Sequence, residues 1–181
     1  IRHHSSICDR VIFIDYNSTD RTRQIFRTES PKDWVMVTSD SPDFAAVACD
    51  MMVTRYERQN PGYWHIALTI TEFLIHPNLP LMLSTFPPNT ALRFSSFMIV
   101  GNDKSRILTY SEQLPTQRSQ YGLKPWENRY ARYIHNYNVS VRYGVGRHSV
   151  KVPWKWAPSG LIFKYQWSPW PESKQRKLQI G

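Results

Sequence analysis

The chain has 181 residues, 41% of them apolar and 20% charged, which excludes a disordered segment and is enough for one domain with its own core. Its net charge is +9, of which +6 falls in residues 147–181, so an anionic ligand or surface is the expected partner of that end. Two cysteines and thirteen prolines exclude a disulfide framework and argue against a helical bundle; with no bilayer-length apolar run and no secretory leader, no transmembrane segment is expected and the expected location is cytoplasmic.

The chain starts at Ile1, without an initiator Met, and soon reaches the apolar run 11–14. Four β-favouring residues in a row read as a buried strand. The polar stretch Asp15-Tyr16-Asn17-Ser18-Thr19-Asp20 follows, and its Ser, Thr and Asp side chains can cap a helix over 21–28. Residues 34–38 form the second expected strand. Residues 44–59 read as a second helix, with Ala46, Val47, Cys49, Met51 and Val53 on its apolar side and Pro61-Gly62 ending it. A third strand over 64–70 runs into Thr71-Glu72-Phe73-Leu74. Strands alternating with helices favour a parallel sheet with right-handed crossovers. Ligands of such a sheet bind at the carboxyl ends of its strands, here 15–20 and 69–72.

The second half is less regular. Strands are expected over 92–100, 142–145 and 161–167, separated by a polar, Pro-containing stretch over 104–130. Trp154, Trp156, Trp167 and Trp170 crowd the basic tail. That tail matches no nucleic-acid-binding signature, so no nucleic-acid partner is expected.

Three groups carry possible chemistry. Asp15, Asn17 and Asp20 can hold the edges of a nucleotide beside a helix N-terminus, which favours phosphate. The same side chains also cap helices locally, and that alternative stays open. In Thr69-Ile70-Thr71-Glu72 only Glu72 is a carboxylate, whereas a divalent ion bridging a diphosphate wants hard, charged oxygens. Arg147 and His148 follow Gly144 and Gly146; glycines allow a ligand to approach the backbone, and Arg suits phosphate. A glycine turn with solvated side chains is the alternative there. After Glu72 the acids are Asp103, Glu112, Glu127 and Glu172. Asp103, just beyond an expected strand, is the candidate catalytic base.

In this order the pieces resemble glycosyltransferases of the GT-A fold, in particular the family-2-like branch. An apolar strand ends in an Asp-x-x-Ser-x-Asp-like motif at Asp15–Asp20. A later strand with Trp64 near its start ends in Thr69-Ile70-Thr71-Glu72-Phe73, where the branch carries Asp-x-Asp-Glu-Phe. Arg-rich residues 129–136 and Gly146-Arg147-His148 match features farther on.

The resemblance implies a single Rossmann-like α/β domain over 1–181. Its mixed, mostly parallel sheet would be flanked by helices and would lack its first strand. Residues 1–75 would form the nucleotide-binding half, and 76–181 the acceptor half. The implied function is sugar transfer from a nucleotide sugar, such as a UDP-sugar, to a hydroxyl of a glycan or glycoprotein. Asp15, Asn17 and Asp20 would face the nucleoside, and Thr69, Thr71, Arg147 and His148 the diphosphate. Glu72 and Asp103 are the catalytic candidates. Thr at 69 and 71 departs from the motif; it leaves Glu72 and His148 as the remaining ligands for Mn²⁺ or Mg²⁺, or a site that works without metal. A sugar-binding relative without catalysis, or a basic nucleic-acid-binding module, are the competing readings.

Overall fold

The structure is a computed structural model that describes residues 1–41, 45–100, 123–125, 131–138 and 141–167. It is a mixed α/β arrangement of two sheets. After a short 3-10 turn at His4–Ser6, β1 (Ile12–Asp15) crosses through α1 (Thr22–Glu29) to β2 (Val35–Thr38). The two strands pair in parallel, from Ile12 opposite Val35 to Asp15 opposite Thr38. Phe26 is the buried anchor of α1 and packs on Phe13 of β1 with ring centroids 5.3 Å apart. This first β-α-β unit is as the sequence suggests.

Helix α2 (Ala46–Arg58) follows. Its inward residues are Cys49 and Met52, whereas Val47 and Met51 are 59% and 69% exposed. Positions 49, 52, 53 and 56 share one face at helical spacing, and 47 and 51 lie off it. The expected apolar side was therefore rotated. Cys8 and Cys49 are both free thiols.

The chain then departs from the expected parallel order. The third strand does not join β1 and β2. It splits into β3 (His65–Ile66) and β4 (Glu72–Ile75), because a turn closes at Thr69, whose carbonyl accepts the Glu72 N–H at 3.0 Å. Glu72 thus opens a strand rather than ending one. The short helix α3 (Leu79–Ser84), with Asn78 capping the Leu81 N–H at 3.1 Å, was not foreseen. Next come β5 (Ala91–Val100), β6 (Leu123–Pro125), β7 (Arg132–His135) and β8 (Lys155–Trp167). The second sheet runs β3-β7-β5-β8-β4, with β6 also on β5. Among the described residues its parallel pair is β5 with β8, and the other pairs are antiparallel. The sheet is mixed, as expected, but its described pairs are mostly antiparallel rather than mostly parallel. Strands β3 and β4, from the first half, lie at its two ends.

Residues 142–145 do not form the expected strand. A single bridge joins Tyr143 to Val150, and Val145–Arg147 makes a 3-10 turn. Gly146 and Arg147 both have positive φ, 73° and 61°, which no strand accommodates.

Leu92, Phe94 and Met98 of β5 point to one face of the second sheet, and Arg93 to the other, by strand alternation. The first face carries the core: Leu74, Leu79, Met82, Leu83, Leu92, Phe94, Ile134 and Ile162 are buried together. Strand β8 bulges between Trp156 and Leu161, where β5 advances only from Arg93 to Ser95. Gly160 lies in that bulge against the Phe94 ring, which a Cβ would strike. Phe94 is fully buried and has no room to move. Gly160→Ala is therefore expected to destabilise the fold by about 1–3 kcal/mol, read as a lower urea midpoint. An unchanged midpoint would show that the bulge tolerates a side chain.

Candidate functional site

The second sheet brings three buried charges together. Glu72 and Lys164 are directly opposite on β4 and β8, and the Lys164 Nζ lies 2.6 Å from Glu72 Oε1. From β7, Arg132 places Nε 2.7 Å from Glu72 Oε2. Two strands lie between β7 and β4, so a flat sheet would hold these backbones about 14 Å apart. Their contact requires a curled sheet. The three side chains are only 2–6% exposed.

The ladder explains why all three face inward. Lys164 pairs with Met98, and Arg132 with Phe94, both on the core face. Glu72 Oε2 also accepts the Thr69 N–H at 2.9 Å. Burial pushes the Glu72 carboxyl up, but Arg132 and Lys164 outweigh it and hold it below the ordinary value. Burial also lowers the Lys164 ammonium, with Glu72 opposing. Glu72 is thus paired with a cation on each of its oxygens.

A strained turn forms its rim. Arg132 Nη1 donates to the Gly146 carbonyl at 2.7 Å and to His148 Nδ1 at 3.1 Å. From α2, Asp50 accepts the Gly146 N–H at 2.9 Å and Arg147 Nη1 at 2.7 Å. These anchors hold Arg147 in the left-handed region, which costs a non-glycine residue about 1–2 kcal/mol. His148 is pushed down to about 4 by burial and by the nearby Arg132 and Lys164. At neutral pH its ring is uncharged.

The end of β1 adjoins this rim. Tyr16 donates to Cys49 Sγ, one residue from Asp50 on α2. Burial and that contact push the Tyr16 phenol up to about 12, with Arg147 opposing. Asp15 is buried and engaged by its own loop: Oδ1 accepts from the Ser18 hydroxyl and Oδ2 from Arg23 Nε at 2.6 Å. Burial raises its carboxyl, but the Ser18 and Arg23 bonds prevail and hold it low. Asp20 accepts the Thr22 N–H at 2.9 Å in the first turn of α1. Asp20 thus serves the start of α1, and Asp15 binds its own loop and Arg23. Asn17 is exposed with φ 51°, a conformation Asn tolerates.

Glu72 and His148 therefore meet at Arg132, with Thr69 bound to Glu72 and Arg147 in the turn that Arg132 holds, while Asp20 sits at the start of α1. The Thr69 and Thr71 hydroxyls lie 3.2 Å apart, with Thr69 at the surface. Asp103 and the tail beyond residue 167 lie outside the described residues. Sequence reading missed Lys164 and Asp50, and noted Arg132 only within an Arg-rich stretch. A signal for Lys164 was present: it shares a strand face with the apolar Ile162.

Both Glu72 oxygens already face cations, and Thr69 and Thr71 add only neutral oxygens. This donor set does not fit Mn²⁺ or Mg²⁺, which want several anionic or carbonyl oxygens. Among the described residues no three His, Cys, Asp or Glu side chains converge as a metal site. Two open grooves of about 310 and 320 Å³ lie elsewhere, one against β1, β2 and α2 and one beside the N-terminal turn. No helix among the described residues is long and apolar enough to cross a membrane.

No family model, curated protein or solved structure matches the chain.

Removing one partner of a buried ion pair strands the other charges and costs about 3–5 kcal/mol. Glu72→Gln is expected to lose that much stability at pH 7 in urea unfolding. The folded carboxyl lies below its ordinary value of 4.5, so its contribution is complete above that value and fades as pH falls through the folded one. The gap between wild type and variant should therefore shrink on acidification. A gap that widens toward low pH would contradict this account.

Proposed function

We propose that the chain transfers a sugar from a nucleotide-sugar donor to a hydroxyl of a glycan or glycoprotein acceptor, with cationic side chains in place of a metal ion. One observation carries the reading: Arg147 stands in a strained turn, anchored by Asp50, at the rim of a buried cluster in which Glu72 meets both Arg132 and Lys164. Cationic side chains held in place by such a network are suited to meet an anion. Departure of a nucleoside diphosphate creates such an anion.

In this reading the diphosphate lies over Thr69, Thr71 and Arg147. The acceptor oxygen attacks the anomeric carbon, and the bond from that carbon to the phosphate oxygen breaks. The leaving oxygen takes the electron pair and is stabilised by Arg147 and by the field of Arg132 and Lys164. The acceptor proton passes to a carboxylate, the role assigned to Asp103 from its place in the sequence. Neutral His148 fixes the Arg132 guanidinium rather than donating charge. Asn17, exposed at the end of β1, is suited to touch the nucleoside; Asp15 supports it by holding the loop. The Asp15–Asp20 motif at the end of β1 supports the GT-A comparison in the first β-α-β unit. The antiparallel pairs farther on give it no support.

The test is turnover of a panel of UDP-, GDP- and other nucleotide sugars, with Mn²⁺ and with excess chelator. One donor class should turn over equally well in both. Arg147→Ala should lower kcat/KM by about 10²-fold, as for loss of a charge-stabilising donor, while the melting temperature reports any structural loss. No turnover with any donor, despite sugar binding, would favour a non-catalytic relative. Activity abolished by chelator would contradict the metal-free site.

A further inference from the structure

The opposite face of the second sheet carries a separate aromatic surface. Arg93, on the face away from Glu72, pairs in register with Tyr133 on β7 and Trp156 on β8. Its guanidinium carbon lies 4.8 Å from the ring centroids of both Trp154 and Trp156. Arg93 is buried at 8%, whereas Trp154 and Trp156 are 38% and 52% exposed. Large exposed indoles are uncommon unless they bind something. These two are also ordered: the shared cation covers a face of each, and Tyr133 packs on Trp154 with centroids 6.1 Å apart.

We propose that Trp154 and Trp156 form a binding surface for an acidic glycan, a chain of pyranose rings bearing carboxylate or sulfate groups. The indoles meet edge to face at 85°, with centroids 5.6 Å apart. That angle makes a corner. Successive nucleobases stack on broadly parallel platforms, whereas a single chair-shaped ring can lay its C–H face on one indole and its rim against the other. The negative face of an indole attracts the polarised C–H groups of a sugar. Charge points to acidic rings: residues 141–167 contain no Asp or Glu, the Arg93 cation lies against both indoles, and Lys151, three positions before Trp154, is exposed.

This surface does not rest on the donor-site reading, because the sheet separates it from Glu72, Arg132 and Lys164. The two therefore fail independently. Intrinsic Trp fluorescence of the full chain would be titrated with a galacturonate tetramer, with maltotetraose and with a thymidine ten-mer. Saturable quenching by the galacturonate is expected, with affinity falling about tenfold or more in Trp156→Ala, the size expected for a lost stacking ring. Trp156→Tyr should retain part of it, and donor turnover should be unchanged in both. Binding that Trp156→Ala leaves intact, absence of saturable quenching, equal affinity for maltotetraose, or tighter binding of the thymidine strand would each overturn the proposal.

Discussion

The ion cluster of Glu72, Arg132 and Lys164 is the constraint on which the site depends. It ties β4, β7 and β8 across the second sheet, and its contact distances require that sheet to curl. It also fixes the turn that follows: Arg132 holds Gly146 and His148, and so determines where Arg147 stands. Such a cluster is expensive to bury. Apolar residues of similar size could pack the same space. In the proposed reading the cluster serves instead to place Arg147 for an anionic ligand.

The rim shows a related economy of parts. Helix α2 supplies Asp50 to the turn and Cys49 to Tyr16, so a single helix links the end of β1 to Arg147. Farther along, Glu57 accepts the Tyr143 hydroxyl at 2.7 Å, and that oxygen lies 2.8 Å from His135 Nε2. Burial and Glu57 push the Tyr143 phenol up. This second buried chain braces α2 on β7 just beyond Arg132. The rim is therefore held from both ends, which suits a site that must place charge without moving.

The sequence made the first β-α-β unit legible because its signals are local: β-branched runs and polar caps around β1, α1 and β2. The strand through Trp64 was harder. The turn at Thr69 depends on a carboxylate three residues later, and that carboxylate depends on partners from 60 and 92 positions away in the chain. The register that pairs Glu72 with Lys164 is tertiary, and no local pattern encodes it. Arg147 and His148 could be named from their neighbouring glycines, but not the function of Asp50, which packing alone reveals. The polar residues that looked most like ligands, Asp15 and Asp20, serve their own loop and helix, as short Asp side chains near helix starts commonly do.

The central claim is that a positively charged protein centre receives a diphosphate without a metal. Calorimetric titration of a nucleoside diphosphate against its nucleoside, both in excess chelator, tests it most directly. The account predicts saturable binding of the diphosphate, weakened by added salt, and affinity for the nucleoside about tenfold or more lower, as befits loss of charge-assisted bonds. Equal affinity for the two, or diphosphate binding only when Mn²⁺ is supplied, would contradict it.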